Sequence, residues 1–103
     1  MRVLNFGSLN IDYVYKVDNF IKPGETKAAR SLEVFAGGKG LNQSLALARA
    51  GAQVAHAGRI GAEGRFLAEK LQAAGVDASR VEVSSNANGH AIIQVDDAGR
   101  NCI

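Results

Sequence analysis

Gly37-Gly38-Lys39-Gly40-Leu41-Asn42-Gln43-Ser44 places three glycines in its first four positions, and the hydrophobic pattern changes across it. Ser31 to Phe35, just before it, is β-rich and reads as a strand. After it, Leu41, Leu45 and Ala48 fall at i, i+4 and i+7, with Leu47 beside them, which is the spacing of a helix face. Gly51 then serves as a helix C-cap. A strand that enters a helix through a glycine turn is an α/β junction. The glycines let the backbone approach something closely. The first N–H groups of a helix have no partner within it, so the junction is predicted to present free N–H groups to a polar or anionic ligand. Lys39 and Asn42 add side-chain donors on the same turn. A tight turn without a ligand has the same composition. Two familiar glycine motifs are excluded: Gln43 stands where a dinucleotide fingerprint needs its third glycine, and Gly40 follows Lys39 where a phosphate-binding loop needs Ser or Thr.

Working outward, Arg2 to Phe6 reads as a buried strand closed by Gly7, and Tyr13 to Val17 as a second β segment. Pro23-Gly24 is a turn signal. Gln53 to Ala57 is a strand closed by Gly58. Leu67, Leu71 and Ala74 repeat the helical spacing up to Gly75. Arg80 to Val83 and His90 to Val95 are further strands. Asp97-Ala98-Gly99 is a hairpin turn leading into a return strand at Arg100 to Ile103. Strand, loop, helix, strand, helix, strand is an α/β order. The stretches 13–35 and 89–103 are β-rich and are not followed by crossover helices, so they read as an appendage to the main sheet.

A chain of 103 residues is expected to form one domain. Its net charge of +2, with no Lys/Arg cluster, argues against a nucleic-acid partner. One cysteine, Cys102, cannot make an intrachain disulfide, which suits a reducing compartment. The first residues lack a signal-peptide layout, and no apolar run approaches the roughly 18 residues of a membrane span. A cytoplasmic protein without a membrane partner is expected.

Ser8-Leu9-Asn10-Ile11-Asp12 follows the first strand. Asn10 and Asp12 are two apart, so in extended chain they face one side. An Asn beside an Asp offers the donors and acceptors that paired sugar hydroxyls require. The same pair also makes an Asx-turn at a strand end. His56 lies in an apolar strand and reads as a packed core residue. His90 faces away from Ala91 and Ile93 and reads as surface. His56, His90 and Cys102 have no metal-ligand spacing. Asp96-Asp97 is hairpin-turn chemistry, and Arg49, Arg59 and Arg65 are scattered charges.

Gly37-Gly38, Gly40, Asn42, Ser44, Gly51 and Gly61 together resemble the first signature of the ribokinase family, the phosphofructokinase-B-type sugar kinases. Gly7 to Asp12 resembles that family's opening strand. Pro23-Gly24-Glu25-Thr26 resembles its lid turn, and Gly75-Val76-Asp77 its segment before the second lid strand. The resemblance runs in order through nearly the whole chain. It implies a doubly wound, Rossmann-like α/β core with a small β-sheet lid formed by 13–35 and 89–103. It implies that Asn10 and Asp12 hydrogen-bond sugar hydroxyls. Gly38, Lys39 and Asn42 would hold the other side of the sugar, and Gly37 would permit close approach. Ala91 and Ile93 would line the lid's underside.

The resemblance further implies a carbohydrate kinase that uses ATP and magnesium and pairs as a homodimer through its lid. In this family an Asp in a Gly-Ala-Gly-Asp-type loop is the base, and no such loop occurs in these 103 residues. The chain therefore reads as the N-terminal, sugar-binding part, truncated before the nucleotide site, expected to hold no ATP or magnesium alone and to be inactive alone. Gly61-Ala62-Glu63-Gly64 departs from the family's usual acidic turn, and Leu67 stands after Phe66 where a glycine is common. The rival readings are a non-catalytic sugar-binding or oligomerisation fragment, an unrelated nucleotide-binding α/β domain, and a nucleoside kinase of the same family.

Overall fold

The computed structural model describes residues 2–103. The elements in order are β1 (Arg2–Phe6), β2 (Asn10–Lys16), β3 (Ser31–Gly37), α1 (Lys39–Arg49), β4 (Gln53–Ile60), a 3-10 turn at Ala62–Gly64, α2 (Arg65–Ala73), β5 (Asp77–Val83), β6 (His90–Val95) and β7 (Asn101–Cys102). They form two sheets, ordered β1-β4-β5 and β3-β2-β6-β7. The chain divides into two compact units. The first runs up to Ile11 and resumes over Ala36–Gly89; the second comprises Asp12–Phe35 and His90–Ile103.

In the first unit, β1 pairs with β4 and β4 with β5, all parallel, with Val3 opposite Val54 and Asn5 opposite His56. Parallel neighbours need crossovers, and crossovers are right-handed. The two connections step the same way across the sheet, so α1 and α2 pack on one face. Leu41, Leu45, Leu67 and Leu71 of the helices and Val54, Ile60, Val76 and Ala78 on and beside the strands are all buried. Full burial of a leucine contributes about 1.5–3 kcal/mol. Side chains alternate along a strand, so Leu4 and Phe6 point to the other face, where they are 65% and 83% exposed. The helices end at Gly51 and Gly75 as the spacing predicts.

The first unit departs from expectation in three strands: β1, expected to be buried, is an edge strand with α-helices on one face only, so Leu4 and Phe6 stay exposed, and β4 and β5 differ in extent. β4 continues through Gly58 to Ile60, because Gly58, Arg59 and Ile60 pair with Val81, Glu82 and Val83 of β5; Gly58 marks a close approach instead of an end, since a Cβ there would lie 3.0 Å from the Gly7 carbonyl oxygen. β5 begins at Asp77 rather than Arg80, since Ala78 is already buried and pairing passes an irregularity between Ala55 and Ala57.

The second unit is built on the four-stranded sheet. β6 and β7 are antiparallel, with Val95 opposite Asn101. Asp96 organises the turn between them: its carboxylate accepts from the Ala98 N–H (3.1 Å), the Arg100 N–H (2.9 Å) and Arg100 Nε (2.8 Å). Burial pushes the Asp96 carboxyl up, but the Arg100 side chain and the backbone N–H groups outweigh it and hold it below its ordinary value. The hairpin reading of Asp96 to Gly99 thus has a hydrogen-bonded basis. β2 starts at Asn10, earlier than Tyr13, because the Ile11 N–H already donates to the Gly89 carbonyl at 3.0 Å. Between β2 and β3 the chain is tied by Arg30 N–H to Lys16 O (2.7 Å) and by Ile21 N–H to Gln94 Oε1 (2.9 Å). Among the described residues no helix is long and apolar enough to cross a membrane.

Candidate functional site

Gly38 caps α1 with φ 102 and ψ 137, a conformation that favours glycine. A Cβ on Gly38 would lie 2.6 Å from Ser8 O and 3.1 Å from Asn10 N. One on Gly7 would lie 2.7 Å from the Gly40 Cα, and one on Gly40 would overlap the Gly7 carbonyl carbon. The glycine loop is therefore pressed, backbone on backbone, against the β1–β2 connection. The Leu41 N–H donates to Ser8 O at 3.0 Å, and the Gly40 N–H meets Ser8 Oγ at 3.5 Å. This narrows the expectation of free N–H groups at the helix start: Ser8 takes that of Leu41 and stands at the limit of hydrogen-bond distance from that of Gly40. What the loop approaches is the chain's own backbone beside Asn10.

A buried polar chain pins that crossing from below. Gly7 O can only accept, so His56 Nε2 carries the proton and donates to it at 3.0 Å. His56 Nδ1 then accepts from Ser44 Oγ at 2.7 Å. Asn5 Nδ2 donates to Ser44 Oγ and to Gly40 O, each at 2.9 Å. His56 and Ser44 are fully buried, so each bond lost would leave a desolvated group costing about 1–3 kcal/mol. His56 is a core residue as expected. The roles of Asn5 and Ser44 were not read from sequence; the one signal was a serine on the apolar face of α1.

Asn88 was missed as well. It is 3% exposed. Its Oδ1 accepts from the Gly61 N–H at 3.0 Å, and its Nδ2 donates to Leu9 O (3.0 Å) and Gly89 O (2.8 Å). Its own N–H donates to Glu63 Oε1. Glu63, in the turn that departs from the family pattern, thus has a defined partner.

The predicted site residues fall in both units. Asn10, Gly37, Gly38, Lys39 and Asn42 belong to the first. Asn10 and Gly38 meet, Gly37 is buried at the end of β3, and Lys39 and Asn42 stand exposed on the first turn of α1. Asp12, Ala91 and Ile93 belong to the second and are half-buried. Asn10 and Asp12 occupy alternate positions on β2 around the buried Ile11. Ala91 and Ile93 alternate with the exposed His90 and Ile92. Within the first unit, Ser8, Asn10, Arg59 and Gly89 line an open cleft of about 930 Å³ at the C-terminal ends of β1 and β4. Open α/β sheets bind ligands at that end of their strands. Arg59 lies 3.4 Å from Glu82.

Comparison with known proteins identifies the family to which this fold and sequence belong. The model of the pfkB family carbohydrate kinases matches residues 2–103. The ribokinase of Haemophilus influenzae is 39% identical over 100 residues, covering 94% of this chain and 33% of that protein. The crystal structure of a ribokinase from Cryptococcus neoformans in complex with ADP superposes with a TM-score of 0.92 at 40% identity, covering 98% of this chain and 32% of that one. The Arabidopsis thaliana ribokinase complexed with ribose and ATP superposes with a TM-score of 0.84 at 33% identity, covering 98% of this chain and 34% of that one. The chain thus spans about a third of the length of these relatives. With the whole described sequence inside the family model and the glycine loop packed as it is, this chain belongs to the pfkB family of carbohydrate kinases.

Proposed function

We propose that these residues bind the sugar in an ATP-dependent sugar kinase, with a pentose of the ribose type as substrate. The observation that carries this is the packing of Gly38 against the backbone of Asn10, which itself lines the first-unit cleft, in a chain whose relatives include ribokinases. Asn10 and Asp12 hydrogen-bond the sugar hydroxyls. Gly38, Lys39 and Asn42 hold its other side, Gly37 allows the approach, and the second unit acts as a lid whose Ala91 and Ile93 meet the sugar's apolar edge. The lid sheet pairs two protomers, and the setting is cytoplasmic.

The ATP and magnesium of the complete enzyme are proposed to be held by residues outside these 103, which on this reading bind sugar without turning it over. In support, Ser8 accepts from the Leu41 N–H and meets that of Gly40, two of the donors a phosphate at the start of α1 would use.

Calorimetric titration of ribose into the protein carrying this chain tests the reading. Each charge-assisted bond from Asp12 contributes about 1.5–3 kcal/mol, so Asp12→Ala weakens binding roughly tenfold or more per lost bond. Unchanged affinity removes Asp12 from the site.

A further inference from the structure

We infer that Asn88 and Gly89 are positioning residues for Asn10, fixing the orientation in which its carboxamide meets a sugar hydroxyl; this rests on the reading of Asn10 as a sugar contact. Asn10 has a held neighbour on each side. Before it, Leu9 O accepts from Asn88 Nδ2 at 3.0 Å. After it, the Ile11 N–H donates to Gly89 O at 3.0 Å. The same Gly89 carbonyl accepts from Asn88 Nδ2 at 2.8 Å, so one amide group ties both flanks together. Leu9 and Ile11 are 3% and 1% exposed, which leaves their backbone little freedom to turn.

The side chain of Asn10 lies against Gly89. A Cβ added at Gly89 would sit 2.7 Å from Asn10 Oδ1 and 3.6 Å from its Cγ. Gly89 does not have the positive φ found at Gly24, Gly38, Gly51, Gly75 and Gly99. Its backbone conformation therefore does not demand glycine; a Cβ there would instead displace the Asn10 carboxamide from its present orientation. Asn88 is in turn fixed by Gly61 and Glu63, from the turn after β4. The clamp thus carries the position of that turn to one carboxamide at the cleft.

The test is a double-mutant cycle read by ribose calorimetry on the full-length protein, with thermal unfolding recorded for each variant. Gly89→Ala should raise the ribose Kd about tenfold in the parent and less than about twofold in an Asn10→Ala background, because its effect passes through Asn10. Asn88→Asp keeps the acceptor for Gly61 and loses the donor to Leu9 and Gly89, and should show the same dependence on Asn10; it serves if Gly89→Ala does not fold. Equal losses in both backgrounds, or normal ribose binding by Gly89→Ala, would overturn the inference alone. An Asn10→Ala protein that binds ribose like the parent would overturn the sugar-contact reading and this inference with it.

Discussion

Ten apolar side chains are buried among the described residues of the first unit, and one, Val17, in the second. The first unit has helices to cover a parallel sheet, and its polar core residues, His56, Ser44 and Asn88, are hydrogen-bonded. The second has no helix. Its sheet leaves Leu32, Val34, Phe35 and Ile92 about half exposed or more. Its side-chain ties are Lys16–Glu33, Lys27–Asp18, Arg30–Asp97 and Arg100–Asp96, with Arg100 also 5.8 Å over the Phe20 ring. Apart from the buried Asp96 carboxylate, these groups are largely on the surface, and surface ion pairs contribute about 0–1 kcal/mol each, well below the burial of a leucine. Fewer buried apolar contacts make the second unit the more readily opened of the two.

The largest expected effect would expose that asymmetry directly. Leu71→Ala in the first unit should cost about 2–5 kcal/mol of stability, while Val34→Ala on the second should stay within about 0.5 kcal/mol. Chemical denaturation of the two variants measures both, and equal costs would break the comparison.

Acid should separate the units next. The Lys27 side chain, then the Asn19 N–H, hold the Asp18 carboxyl below its ordinary value, and Asp96 is lowered as described. A carboxyl with a folded pKa below its unfolded value of about 3.9 stabilises fully above that value. The stabilisation is lost as the pH falls through the folded pKa. Asp77 in the first unit is also lowered, by the Ser79 N–H and hydroxyl, but it stands exposed at the start of β5. Amides of β6 and β7 should therefore lose hydrogen-exchange protection at a higher pH than those of β4, and Asp96→Asn should remove the acid sensitivity of the turn. Simultaneous loss in β4 and β6 would argue for one cooperative body.

The smallest effect concerns a single surface pair. Lys16 and Glu33 approach to 3.6 Å with about half of each side chain exposed. Glu33→Ala should change stability by less than about 0.5 kcal/mol, an effect that added salt reduces further. A larger loss in a denaturant titration would show that ion pairs hold the second unit more firmly than their exposure implies.

Features that depend on neighbours in sequence were legible in the residues themselves. The i, i+4, i+7 rows of α1 and α2, their glycine ends and the Asp96–Gly99 turn follow from local geometry, and each lies where its residues indicated. The glycine loop also announced a close approach. What it approaches became clear only on folding, because Gly38 and Gly40 meet Ser8 and Gly7 some thirty residues earlier in the chain. Asn88 shows the same limit more sharply. In the sequence it is one asparagine in a polar loop, yet its amide reaches Leu9, 79 positions away, and Gly61, 27 positions away. A carboxamide looks alike in every loop, and its role comes from whichever carbonyls and N–H groups the packed strands bring within about 3 Å.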